Sequence, residues 1–104
     1  MTVVSIYAAF ADADEAERIG RVMVEKRLAA CINIIAPVRS IYRWQGALEQ
    51  ADEVAGIFKT TDASADALIA AIAGLHSYDV PCIVSWSIDK ITASYAAWVE
   101  ENVG

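Results

Sequence analysis

Thr2 to Phe10 is rich in β-branched and aromatic residues and stops at the acidic cluster Asp12-Ala13-Asp14-Glu15, the pattern of a strand giving way to a helix. Asp12 followed three residues later by Glu15 has the spacing of a capping box, in which side-chain oxygens take up backbone N–H groups that the first helical turn leaves free. Ala16, Ile19, Val22, Met23 and Lys26 then recur at i, i+3, i+4 spacing, with Glu17, Arg18, Arg21 and Glu25 turned outward, which predicts an amphipathic helix over Asp14 to Leu28. A second strand is expected from Ala30 to Val38, bent near Pro37 and continued by Ser40 to Trp44, and Gln45-Gly46 supplies a hairpin turn. The return strand spans Ala47 to Thr61. Asp62 or Ser64 caps a second helix with the stripe Ala65, Leu68, Ile69, Ile72 and Leu75. His76-Ser77-Tyr78-Asp79 reads as a turn, Val80 to Ile88 as a fourth strand, and Thr92 to Asn102 as a short helix burying Tyr95, Trp98 and Val99 on one face.

The order βαββαβ with a terminal helix predicts an α+β domain filling residues 1–104. It has the ferredoxin-like form, an antiparallel sheet with two helices on one face plus a short C-terminal helix. A sheet covered on one face should alternate apolar and polar residues, and this one does so poorly. The last strand sets Val80, Cys82, Val84, Trp86 and Ile88 on one side, yet Pro81 and Ile83 still fall on the other. Two apolar faces need two covers, and the helices suffice for one. The second face is therefore expected to pack against other subunits.

Composition sharpens this. The 104 residues are 57% hydrophobic and 21% charged, but no uncharged stretch reaches the ~18–20 apolar residues of a bilayer helix. No Lys or Arg precedes Arg18, so the basic n-region of a signal peptide is missing and the cytoplasm is the expected compartment. Cys31 and Cys82 stand apart without a CxxC or a Cys/His ladder, which argues against a disulfide scaffold or a self-contained zinc site. A net charge of −6 disfavours nucleic acid and makes cations or polar small molecules the natural ligands.

Four motifs stand in order along the chain: Leu28-Ala29-Ala30-Cys31-Ile32-Asn33, Ser40-Ile41-Tyr42-Arg43-Trp44-Gln45-Gly46, Lys59-Thr60-Thr61, and Leu75-His76-Ser77-Tyr78-Asp79-Val80-Pro81, with Tyr95 and Trp98 near the end. Together they resemble the CutA family of divalent-ion tolerance proteins over essentially the whole chain. The resemblance implies a cytoplasmic homotrimer of ferredoxin-like subunits, similar in architecture to PII signalling proteins, linked to tolerance of copper and other divalent metals. It implies copper ligands at a first-strand cysteine and two adjacent histidines. Those positions are Ala8, Leu75 and His76 here, so only His76 matches.

His76, with Cys31 as a soft second donor, is the candidate for weak binding of Cu(II) or another divalent cation. One imidazole cannot close such a site alone, and His76 equally fits a helix-end histidine, Cys31 a buried packing residue. The resemblance also implies a cleft between subunits lined by Trp44, Lys59, His76, Tyr78 and Asp79, suited to a small-molecule effector that signals to a protein partner. The same aromatics equally suit interface anchors. The chain departs from the family pattern at Ser77, Asp79 and Cys82. No GxSxG, HExxH, P-loop or GxGxxG motif is present, and a Cys31/His76 nucleophile pair lacks a preparing motif, so the expected function is non-enzymatic.

Overall fold

The computed structural model describes residues 2–104. Seven elements follow in order: β1 (Val3–Phe10), α1 (Ala13–Glu25), β2 (Cys31–Trp44), β3 (Ala47–Thr61), α2 (Asp62–Leu75), β4 (Ile83–Ser87) and α3 (Ala93–Asn102). The four strands form one antiparallel sheet in the order β2-β3-β1-β4, the ferredoxin-like topology expected from the element order.

Alternation along β1 divides the molecule. Val4, Ile6, Ala8 and Phe10 point into a sealed core with Phe58 of β3, Ile19 and Met23 of α1, and Leu68 and Ile72 of α2. Phe10 and Phe58 meet edge to face at 6.5 Å, both fully buried. The Phe10 ring and the Ile32 side chain fill the space that glycine leaves at position 56, where a Cβ would stand 2.8 Å from Phe10 Cε2 and 2.9 Å from Ile32 Cδ1.

Asp12 Oδ1 accepts the Glu15 N–H at 2.8 Å, as the predicted capping box requires. Glu15 reaches back one residue further than the standard box and accepts from the Ala11 N–H at 3.0 Å. The helix ends at Glu25, not at Leu28. The Leu28 and Arg27 N–H groups turn back to the carbonyls of Met23 and Val24, a Schellman closure, with Arg27 in the left-handed region at φ 60°. A non-glycine residue at that position hides the stop from a pattern based on glycine. Gln45 and Gly46, at φ 49° and 82°, make the tight turn between β2 and β3.

The opposite sheet face carries Val3, Ser5, Tyr7 and Ala9 of β1, Lys59, Ile57, Ala55 and Glu53 of β3, and Val84 and Trp86 of β4. Cover is partial: α3 lies over one end, packing Val99 against Val3 and Ala30 with Tyr95 and Ile88 beside them. Val99 is fully buried and Tyr95 half-buried, whereas Trp98 remains 41% exposed, so the expected burial of all three holds for only part of the helix. The other end is open. Beyond the last β1 pair, Phe10 with Val54, the β2–β3 hairpin continues alone through seven further pairs, from Val38–Glu53 to Trp44–Ala47. The fourth strand is also shorter than expected, because Val80 to Cys82 is irregular chain before Ile83. Pro81 cannot donate to a ladder, and only the Cys82 carbonyl engages β1, through the Ala9 N–H at 3.1 Å. No helix of the described residues is long and apolar enough to cross a membrane.

Candidate functional site

A groove of about 490 Å³ occupies the open end of the uncovered face. Its floor is Tyr7 and Ala9 of β1 and Glu53 of β3, its hairpin wall is Ser40, Tyr42 and Trp44 of β2, and its loop wall is Tyr78, Asp79, Val80 and Cys82. A register irregularity between Ile35 and Val38 builds the hairpin wall. Before it, Cys31, Asn33 and Ile35 lie opposite the open-face residues of β3; after it, Val38, Ser40, Tyr42 and Trp44 do. Without that shift Trp44 would point to the helix side.

Glu53 is buried to 8% exposure and accepts the Tyr78 hydroxyl at Oε2, 2.8 Å away. Tyr78 is pushed up to about 12 by desolvation first and then by this bond to a carboxylate. Tyr7 is raised too, by burial and then by the neighbouring Cys82 and Glu53, and its ring stacks on Trp86 at 5.1 Å. The groove thus has a fixed carboxylate and an aromatic lining. Asp79 adds a second carboxylate and has no hydrogen bond or ion pair among the described residues.

Behind the loop wall, His76 is fully enclosed: its side chain has 0% exposure and its ring stacks on Phe10 at 5.3 Å. Its Nε2 lies 2.8 Å from the Ala9 carbonyl oxygen, and its Nδ1 accepts the Tyr78 N–H at 3.1 Å. A carbonyl cannot donate, so Nε2 carries the proton and both nitrogens are engaged. Glu15 braces the same loop, accepting the Ser77 N–H at 2.9 Å and standing 4.0 Å from His76 Nε2. Burial pushes its carboxyl up, but the bonds from Ser77 and Ala11 and the nearby His76 outweigh that and hold it below the usual range.

Of the cleft residues expected from the sequence, Trp44, Tyr78 and Asp79 come together in the groove. His76 supports it from behind, its ring 4.8 Å from Tyr78. Lys59 does not join them. It sits across from Cys31 and Ser5 at the end covered by α3. The two candidate metal donors are separated as well: Cys31 is at the level of Ser5, His76 bonds at Ala9, and four strand residues span about 13 Å. Cys31 Sγ lies 3.4 Å from the Tyr95 hydroxyl, and burial followed by this bond raises Tyr95 to about 12. Among the described residues no group of three or more His, Cys, Asp or Glu side chains is placed to hold a metal ion. Tyr7, Tyr42, Glu53 and Cys82 were not expected in the site. Strand parity marked Cys82 alone, beside Val84 and Trp86, whereas Glu53 sits in a polar run that reads as solvated edge.

Comparison with known proteins places this arrangement. Residues 4–102 match the family described as CutA1 divalent ion tolerance protein. The divalent-cation tolerance protein CutA of Thermotoga maritima is 36% identical over 101 residues, 97% of this chain and 99% of that one. The crystal structure of CutA from Xylella fastidiosa superposes with a TM-score of 0.96 at 31% identity, covering 100% of both chains. That of Archaeoglobus fulgidus CutA, described as a periplasmic divalent cation tolerance protein, superposes with a TM-score of 0.94 at 35% identity over 98% of this chain and 99% of that one. A match that runs through every strand and helix, with relatives covered nearly end to end, makes this chain a member of the CutA1 divalent ion tolerance family.

Proposed function

We propose that this chain is a non-enzymatic protein of divalent-cation tolerance, copper included, working as a cytoplasmic homotrimer. The observation that carries the assembly is the uncovered half of the sheet, where Val84 and Trp86 stand 41% and 49% exposed with no helix of the described residues above them. Apolar area of that kind is what stable subunit interfaces remove from water.

Copper contact on this reading is weak and limited to Cys31 and His76. Each would exchange a protein hydrogen bond for the metal: Cys31 its contact with Tyr95, His76 one of its two ring bonds. Calorimetric titration of Cu(II) into the parent and His76→Ala tests this, and equal heats remove His76 as a ligand. Light scattering coupled to gel filtration tests the assembly. A mass near the 11.2 kDa of one chain at micromolar concentration would refute the trimer.

The groove favours a second reading, a PII-like module that takes a small molecule in a cleft between subunits and passes the signal to a protein partner. Its volume and mix of aromatic walls with a few fixed polar groups match small-molecule sites.

A further inference from the structure

The geometry points to an organic ammonium ion, an amine carried on an apolar body, as the ligand class of this groove. The inference rests on the reading of the groove as a ligand cleft and adds what that cleft selects.

Charge decides the class. Glu53 and Asp79 are the two carboxylates of the lining, and no Lys, Arg or His of this chain lines the groove. Lys59, the cation that would have favoured an anionic effector, lies at the far end of the sheet. Glu53 is more than nine-tenths buried, yet one oxygen is held ready. Oε2 takes the Tyr78 hydroxyl, no described residue bonds Oε1, and no fully enclosed side-chain oxygen of the described residues lacks a partner, so Oε1 keeps some access to solvent. Asp79 is free of internal ion pairs at the rim.

Shape and surface decide the body. Trp44, Tyr42 and Tyr78 give the walls π-faces, which attract cations and bury hydrocarbon at the same time. A bare hydrated metal ion would use the carboxylates and waste the aromatic walls. An anion would meet two like charges and no cationic side chain of this chain. An ammonium group on an aryl or alkyl body uses both surfaces.

The test is calorimetry on the protein as purified, with three probes sharing one body: 2-phenylethylammonium, 2-phenylethanol and phenylacetate. The ammonium ion should bind at least fivefold more tightly than the alcohol, with phenylacetate weakest. Asp79→Asn should weaken the ammonium about threefold or more and leave the alcohol unchanged. Asp79 is exposed and carries no internal bond, so that variant folds, and Trp44→Leu provides a second one that should weaken ammonium binding in the same way. Equal affinity for ammonium and alcohol, tighter binding of phenylacetate, or no binding because a neighbouring copy fills the groove overturns the inference. Light scattering on the same samples separates the readings. A monomer that still selects the ammonium ion removes only the trimer, and a trimer that binds the alcohol alone keeps the cleft but removes the cation class.

Discussion

The two faces of one sheet have opposite fates. On the helix side, β1 contributes Val4, Ile6, Ala8 and Phe10, and α1 and α2 close over them completely. On the other side the same strand contributes Val3, Ser5, Tyr7 and Ala9, and α3 covers only the Val3–Ser5 end of this row. The difference lies in the helical cover: two helices of 13 and 14 residues lie on one face and a single helix of 10 on the other. The finished face holds the fold together, and the unfinished one is available for assembly and for the groove.

The contrast is broken most directly by substitutions at matched aromatics. Phe58→Ala removes a fully buried ring packed on Phe10 and should cost about 3–5 kcal/mol in chemical denaturation. Trp86→Glu, on the open face, should leave the far-UV circular dichroism of the subunit unchanged and shift the light-scattering mass from trimer to single chain. A Trp86→Glu variant that unfolds outright would show that the open face is part of the core.

Glu15 offers the next effect. Its carboxylate takes the Ala11 and Ser77 N–H groups and so ties the start of α1 to the loop that carries Tyr78. Glu15→Ala should cost about 1.5–3 kcal/mol by losing bonds to a charged acceptor. Because its folded pKa lies below its unfolded one, its contribution is complete above the ordinary glutamate range. It is lost as pH falls through the folded value. Glu15→Gln cannot titrate, so its stability should fall less steeply than the parent's as pH drops below about 4.3, read by chemical denaturation at several pH values; equal slopes would remove Glu15 from the acid response.

The unequal legibility of the two faces follows from the same geometry. The helix face is written in local periodicity. The 3.6-residue stripe of α1, the Asp12/Glu15 cap, the Gln45-Gly46 turn and the bounds Ala47–Thr61 of β3 are all readable within short windows of sequence. The groove depends on nonlocal facts. Trp44 faces Tyr78 only because the shift between Ile35 and Val38 changes strand parity; Pro37 marks the interruption in the sequence, but not the change of face that it brings. Glu53 looks solvated in sequence and is buried by a tyrosine 25 residues away. Lys59 and Tyr78 each belong to a recognisable motif, yet pairing register sends them to different ends of the sheet.

A smaller effect compares the phenols of the two ends. Tyr78 in the groove and Tyr95 on α3 are both raised to about 12, the first by burial and Glu53, the second by burial and Cys31. Alkaline titration followed at 295 nm should show absorbance still rising between pH 11 and 12.5. Tyr78→Phe and Tyr95→Phe should each remove part of that late rise. In each case the folded pKa exceeds the unfolded one, so the stabilisation is complete below about pH 10 and is lost as pH rises through the folded value. Loss of the late phase in only one variant would show that only that end is dry.

The smallest expected effect lies on the hairpin that extends past β1. Arg39 and Asp52 face each other there at 3.5 Å with side chains 69% and 70% exposed. An exposed pair of this kind loses most of its attraction to solvent screening and side-chain entropy, so Arg39→Ala should change subunit stability by less than about 0.5 kcal/mol. That near-silence makes it a sensitive probe of where the open face ends. Should Arg39→Ala instead lower the assembled mass or shift the midpoint by more than about 1 kcal/mol, screening must be absent, because only a pair removed from water has that much to lose. The interface would then extend from the sheet around Trp86 onto the back of the hairpin. An unchanged mass confines assembly to the face that carries Tyr7, Val84 and Trp86, and leaves the far side of the hairpin in water.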